Sequence, residues 1–237
     1  MDPRQRLIVA LDVSTAAAAR KIVAAVGDSA HAYKVGMQLY TAEGPSFVRE
    51  LAGSGHRVFL DLKYHDIPNT VGAAIREAAQ LGVSMLTVHA SGGGKMLRSA
   101  VDAAQAANPD LLVLAVTVLT SLDDNELGKI GLRGGVLDQV RRLSALAISN
   151  GCKGVVASAL EASALREEFG RDFAIVTPGV RPAGSGPDDQ ARVVTPAEAI
   201  AAGASHIVVG RPITEASDPT AEARAILGQI GSLATPA

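Results

Sequence analysis

Short runs of aliphatic and β-branched residues recur along the chain, each followed by a longer stretch in which apolar and polar positions alternate at helical spacing. The runs fall at 7–12 (LIVALD), 32–37 (AYKVGM), 57–63 (RVFLDLK), 84–90 (SMLTVHA), 111–119 (LLVLAVTVL), 153–158 (KGVVAS), 173–180 (FAIVTPGV) and 205–210 (SHIVVG). Between them lie stretches such as TAAAARKIVAAV, TVGAAIREAAQLG, GGVLDQVRRLSALAISNG and TPAEAIAAG. Several close on glycine, a common helix stop. Eight strand-like runs alternating with helices predict a parallel sheet. Strands that are apolar throughout fit burial on both faces. The first run leads into LDVSTAAAA, without the glycine fingerprint that follows the first strand of a dinucleotide-binding fold. The pattern therefore predicts an α/β chain of 237 residues folded as one domain over 1–237, a (β/α)8 TIM barrel.

In such barrels the active site lies at the C-terminal ends of the strands, and this chain collects polar residues there. Asp12 ends the first run, Lys34 lies in the second, and Asp61 and Lys63 end the third. His89 ends the fourth, Thr117 and Thr120 follow the fifth, and Arg181 and Arg211 follow the seventh and eighth. Strand side chains alternate faces, so Asp61 and Lys63 share a face with Phe59, Asp12 with Ala10 and Ile8, and Lys34 with Ala32 and Gly36. The aliphatic set Val58, Leu60 and Leu62 suits the helix layer, which leaves the charged set facing the barrel mouth. In isolation, D-x-K-x-x-D reads as a surface salt-bridge cluster. At the end of a barrel strand, with Asp12 and Lys34 on neighbouring strands, it reads as a site.

The loops after the seventh and eighth runs, VTPGVRP and VVGRPIT, each join glycine to arginine. Glycine lets the backbone approach a ligand closely, and arginine offers a planar fork to phosphate oxygens. Barrels often hold phosphate with these two loops. A polar Gly/Pro segment, AGSGPDDQARVVTP, lies between them and has the length of a covering loop.

Composition narrows the function further. A formal charge of −2 offers no basic field to nucleic acid or anionic membrane, and aromatics at 3% leave few stacking platforms for bases. No run reaches the roughly 18–20 apolar residues of a spanning helix. The N-terminal apolar run is too short for a signal peptide. The single cysteine, Cys152, has no internal partner and opens an apolar run, as a packing thiol does. A cytoplasmic protein is expected. SGGGKM lacks Walker spacing, and neither H-E-x-x-H nor G-x-S-x-G is present.

The chemistry of Asp61, Lys63 and Asp66 follows from charge. Carboxylates on either side of a lysine favour its ammonium form. A unit charge pair at about 4 Å gains on the order of 4 kcal/mol at an effective dielectric near 20. A held ammonium is a poor Schiff-base nucleophile, but it can stabilise a developing anion and then protonate it. An adjacent acid crowds an anionic group that is about to leave. Decarboxylation makes both demands.

These segments, FLDLKYHDIPNTV together with LIVALDV, YKVGMQLYTAEG, TVHASGG, VTPGVRP and IVVGRPIT, resemble the orotidine 5′-phosphate decarboxylase family in order and through nearly the whole chain. The resemblance implies a (β/α)8 homodimer that forms UMP and CO2 without metal or organic cofactor. It implies Lys63 as proton donor to C6 of the pyrimidine and Asp61 as its partner beside the substrate carboxylate. Asp66, with Ile67 and Thr70, would complete the site of the partner subunit. Asp12 and Lys34 match the ribose contacts, and Thr120 matches a pyrimidine contact or a residue closing over it. Arg181, Gln190, Gly210 and Arg211 match the phosphate grip. Two alternatives stay open. One is a sister sugar-phosphate decarboxylase or hexulose-phosphate synthase, which holds magnesium with acids, one of them at the position of Lys34. The other is a non-catalytic barrel that binds UMP.

Overall fold

A computed structural model describes residues 2–182 and 194–231. Eight parallel strands close into a barrel in sequence order: β1 (Leu7–Ala10), β2 (Ala32–Gly36), β3 (Arg57–Tyr64), β4 (Met85–His89), β5 (Leu112–Val116), β6 (Gly154–Val156), β7 (Ala174–Thr177) and β8 (His206–Val209). β8 pairs back onto β1 through Leu7↔Ile207 and Val9↔Val209. Seven strands lie inside the runs expected to hold them, and β3 passes the end of its run by one residue, Tyr64. The observed strands are mostly shorter, because the polar ends of the runs leave the ladder to form the rim.

The core has two layers, as strand alternation requires. Ile8, Ala10, Ala32, Phe59, Met85, Leu114, Val176 and Val208 fill the barrel interior. Their odd-even counterparts, such as Val9, Val35, Val58, Leu60 and Leu86, pack against the helices. Helix Ala16–Val26 illustrates the outer layer. Thr15 caps its first turn by accepting from Ala18 N at 3.2 Å, Ala16 and Ala19 are buried, and Gly27 ends it at φ 55°. Helices Ala159–Phe169 and Pro196–Ala201 both begin with capping boxes, Ser158 with Glu161 and Thr195 with Glu198. The β2 crossover uses two helices, Met37–Glu43 and Pro45–Gly53, broken at Gly44 (φ 68°) before a proline.

At the opposite end from the polar rim, Arg166 ties three segments together. Its guanidinium donates to Gly203 O at 2.9 Å, Phe173 O at 2.8 Å and Ser205 Oγ at 2.8 Å, and it lies 4.7 Å from the Phe173 ring. His206 opens β8 nearby. It is buried, and neither ring nitrogen has a hydrogen-bond partner among the described residues. Burial pushes its pKa down to about 4, and the charges of Arg57 and Arg6 push the same way.

A histidine that titrates near 6.5 when unfolded and near 4 when folded takes up its proton more readily in the unfolded chain. Its contribution to stability is intact above pH 6.5 and is lost as pH falls through 4. That amounts to on the order of 3 kcal/mol. Urea unfolding of His206→Leu against wild type, from pH 7.5 to 4, should show a flatter acid decline in the variant by about that amount. Equal slopes would contradict it.

Candidate active site

The polar rim encloses a cavity of about 550 Å³ lined from β1, β2, β3, β5, β6 and β8 and from the loop after β7. Its floor is the top of the interior layer, including Ala10, Phe59 and Val208. Asp12, Lys34, Asp61 and Lys63 all line it, as strand parity required.

These four side chains form one line of alternating charge. Lys34 Nζ lies 2.8 Å from Asp12 Oδ1 and 3.8 Å from Asp61 Oδ2. Lys63 Nζ donates to both oxygens of Asp61 at 3.0 Å. The Lys34 and Asp61 side chains are 12% and 14% exposed and that of Lys63 is 26% exposed, so solvent screens the inner pairs only partly. Gly36 leaves room for the line. A Cβ there would stand 2.9 Å from Lys34 Nζ and 3.0 Å from Asp12 Oδ1.

Lys63 is the one non-glycine residue at positive φ (53°) among the described residues. A lysine held there costs about 1–3 kcal/mol, and such strain gathers at working sites. The cause is a bulge. Leu60 pairs with Leu86 and Tyr64 with Val88, so four steps along β3 face two along β4. Thr87 sits inside that gap. Its Oγ1 accepts from Lys63 N at 2.9 Å and donates to Asp61 Oδ1 at 3.0 Å. Thr87 belongs to no motif of the sequence, although its parity with Met85 places a hydroxyl on the interior face beside Asp61.

Asp66 does not join this array within one chain. It is exposed, makes no ion pair among the described residues, and its Oδ1 accepts from Ile67 N at 2.6 Å. Asp66, Ile67 and Thr70 are all exposed and outside the cavity lining. Of the two acids expected to flank Lys63, Asp61 alone does so within the chain. Three residues past Lys63, the chain has left β3 and is entering helix Pro68–Ala79.

The remaining candidates divide by position. Thr120, Arg181, Gly210 and Arg211 line the cavity with Pro178, Gly179 and Pro212. Arg181 is buried, and Arg211 opens a short helix, Arg211–Thr214, directly after β8. Gln190 lies outside the described residues. Thr117 is buried and donates to Val156 O at 2.9 Å, a tie between β5 and β6. His89 is outside the lining as well. Its ring stacks on His65 at 5.3 Å, and its Nδ1 lies 2.7 Å from Ser91 Oγ. Burial, with the charges of His65 and Lys63, lowers the His89 pKa. Cys152 is buried, and burial pushes its thiol up to about 12, as expected for a packing residue. Among the described residues, no group of three or more His, Cys, Asp or Glu side chains is gathered to hold a metal.

Around the rim, the arginine loops of β7 and β8 stand next to Asp12 just past β1, then Lys34 on β2, then Asp61 and Lys63 on β3. Two arginine-bearing loops, a polar middle and the Asp61–Lys63 pair thus occupy neighbouring sectors.

The chain is similar to known proteins over nearly its whole length. A family model described as orotidine 5′-phosphate decarboxylase / HUMPS family matches residues 5–226. The orotidine 5′-phosphate decarboxylase of Halorhodospira halophila is 52% identical over 227 residues, covering 96% of this chain and 96% of its own. That of Moorella thermoacetica is 51% identical over 236 residues, covering 97% and 94%. A crystal structure of orotidine 5′-phosphate decarboxylase from Lactobacillus acidophilus matches with a TM-score of 0.86 at 41% identity, covering 95% of this chain and 99% of that one.

Proposed function

The chain belongs to the orotidine 5′-phosphate decarboxylase / HUMPS family, and from that premise we infer how its site works on orotidine 5′-phosphate. The enzyme releases CO2 and forms UMP, the last step of pyrimidine biosynthesis. The observation that carries the assignment of roles is the Asp12–Lys34–Asp61–Lys63 line beside two arginine loops.

Arg181, Gly210 and Arg211 grip the phosphate, with Gln190 assigned to the same grip by resemblance. Asp12 and Lys34 bind the ribose hydroxyls, and Thr120 contacts the pyrimidine or closes over it. The base then lies toward β3 with its C6 carboxylate against Asp61 and Lys63. Asp61 places a second carboxylate beside that of the substrate, and this crowding of like charge favours departure of the substrate group as neutral CO2. The C6–carboxyl bond breaks, its electron pair remains on C6, and the Lys63 ammonium stabilises that carbanion before donating a proton to it. The neutral amine regains a proton from water, and no electron acceptor is required. Binding energy from the distant phosphate organises the charged end.

A homodimer completes this site. Asp66, Ile67 and Thr70 point away from their own cavity, and Ile67 is a 66% exposed apolar residue, a placement that suits delivery to a partner. Mixing inactive Lys63→Ala and Asp66→Ala proteins under exchange should restore activity to about a quarter of wild type, since half the dimers then carry one intact site. No recovery after demonstrated exchange would count against shared sites. A cytoplasmic location fits a buried free thiol, and no helix among the described residues is long and apolar enough to cross a membrane.

A magnesium-dependent sugar-phosphate lyase is the second reading within this family. Against it, the Lys34 ammonium already occupies the space between Asp12 and Asp61. A UMP-binding barrel without catalysis would have no need for the strained Lys63 pairing. The test is the loss of orotidine 5′-phosphate absorbance before and after exhaustive EDTA treatment. Unchanged turnover supports the decarboxylase mechanism without metal. Activity that returns only with magnesium supports the sister chemistry.

A further inference from the structure

We propose that Thr87 is a positioning residue that holds Lys63 and Asp61 in their reacting geometry. This rests on the decarboxylase reading of those two residues. Thr87 is fully buried on β4, and its one hydroxyl sits between the backbone of the proton donor and the carboxylate that the donor binds. The links close a ring. Lys63 N–H donates to Thr87 Oγ1, Thr87 O–H donates to Asp61 Oδ1, and Asp61 accepts from Lys63 Nζ.

Each link has a physical role. The bulge removes Lys63 from the regular ladder between β3 and β4. Its N–H would otherwise be a partly buried donor without a strand acceptor. Accepting that N–H gives the positive-φ conformation a partner it would lack in an unbulged strand. Donating to Oδ1 then fixes the rotation of the Asp61 carboxylate, whose Oδ2 stands 3.8 Å from Lys34 Nζ. Thr87 touches no substrate atom in this account. It sets where the ammonium and the carboxylate stand before substrate arrives, which is the preorganisation that electrostatic catalysis needs.

Thr87→Val keeps the shape and removes both hydrogen bonds. Thr87→Ser keeps the hydroxyl. For orotidine 5′-phosphate, Thr87→Val should lower kcat by about 10- to 100-fold, while KM and UMP affinity stay within about twofold. Thr87→Ser should stay within about threefold of wild-type kcat. A crystal structure of Thr87→Val should show Lys63 away from φ near +53° or Asp61 rotated off Lys63 Nζ. If Thr87→Val does not fold, Thr87→Cys, with a weak thiol in place of the hydroxyl, is read by the same criteria.

The inference is overturned if kcat of Thr87→Val equals that of wild type, or if Thr87→Ser is as impaired as Thr87→Val. It is also overturned if Lys63 and Asp61 keep their geometry in the variant crystal. A wild-type protein inert toward orotidine 5′-phosphate sinks the decarboxylase reading instead, and the crystal comparison still decides whether Thr87 holds the bulge.

Discussion

Lys63→Ala should lower kcat for orotidine 5′-phosphate by about 10⁴-fold or more, while UMP still binds within about tenfold of wild type. Two losses combine in that figure. The variant lacks the ammonium that stabilises charge at C6, a contribution of about 10²- to 10³-fold by itself. It also lacks the acid that protonates C6, a contribution of about 10²- to 10⁴-fold. Binding of UMP survives because the phosphate and ribose contacts come from other strands. The variant also leaves Asp61 without its 3.0 Å ammonium, facing Lys34 at 3.8 Å and the Thr87 hydroxyl. An uncompensated carboxylate there repels the substrate carboxylate, so KM should rise. Lys63→Arg should not rescue kcat, because a guanidinium is wider, planar and a very weak acid. Steady-state kinetics and UMP calorimetry check these points together. A kcat within tenfold of wild type would remove Lys63 from the reaction.

Arg211→Ala should depress kcat/KM by about 10²- to 10³-fold although the residue touches no reacting atom. A guanidinium that pairs with phosphate through charge-assisted hydrogen bonds is worth about 3–4 kcal/mol when both are partly desolvated. Arg211 starts the short helix after β8 and lines the cavity two strands away from Lys34 around the rim. Its loss therefore reports on binding energy used at a distance. The control is a substrate fragment without phosphate, whose weak turnover should be nearly the same in variant and wild type. Near-normal kinetics for Arg211→Ala would refute the phosphate assignment.

The barrel was legible in the sequence because parallel strands buried on both faces leave continuous apolar runs, and eight such runs separated by helical stretches admit few other folds. Parity alone placed Asp12, Lys34 and Asp61 on the interior face, and the cavity lining agrees. Lys63 falls on the same face, as parity expects, but parity gives no sign of the bulge or of the positive φ there. The bulge between Leu60 and Tyr64 carries no sequence signature beyond Lys63 itself, which is not a residue that advertises positive φ. Thr87 was missed for the same reason, since its role exists only once β3 and β4 are out of step. Spacing alone sets Asp66 beside Lys63, whereas the resemblance sets it in a partner's site; the chain turns outward after Tyr64 and exposes it. The break of the β2 crossover at Gly44–Pro45 was also not read, although glycine at positive φ before proline is a strong stop.

As proposed, the site removes CO2 from orotidine 5′-phosphate with its own side chains. The most direct test treats wild-type protein with EDTA, supplies orotidine 5′-phosphate, and quantifies UMP and CO2 together. The account predicts full conversion with the two products in equal amounts, and almost none in the same period with Lys63→Ala. Wild-type protein that binds UMP yet leaves orotidine 5′-phosphate intact would contradict it.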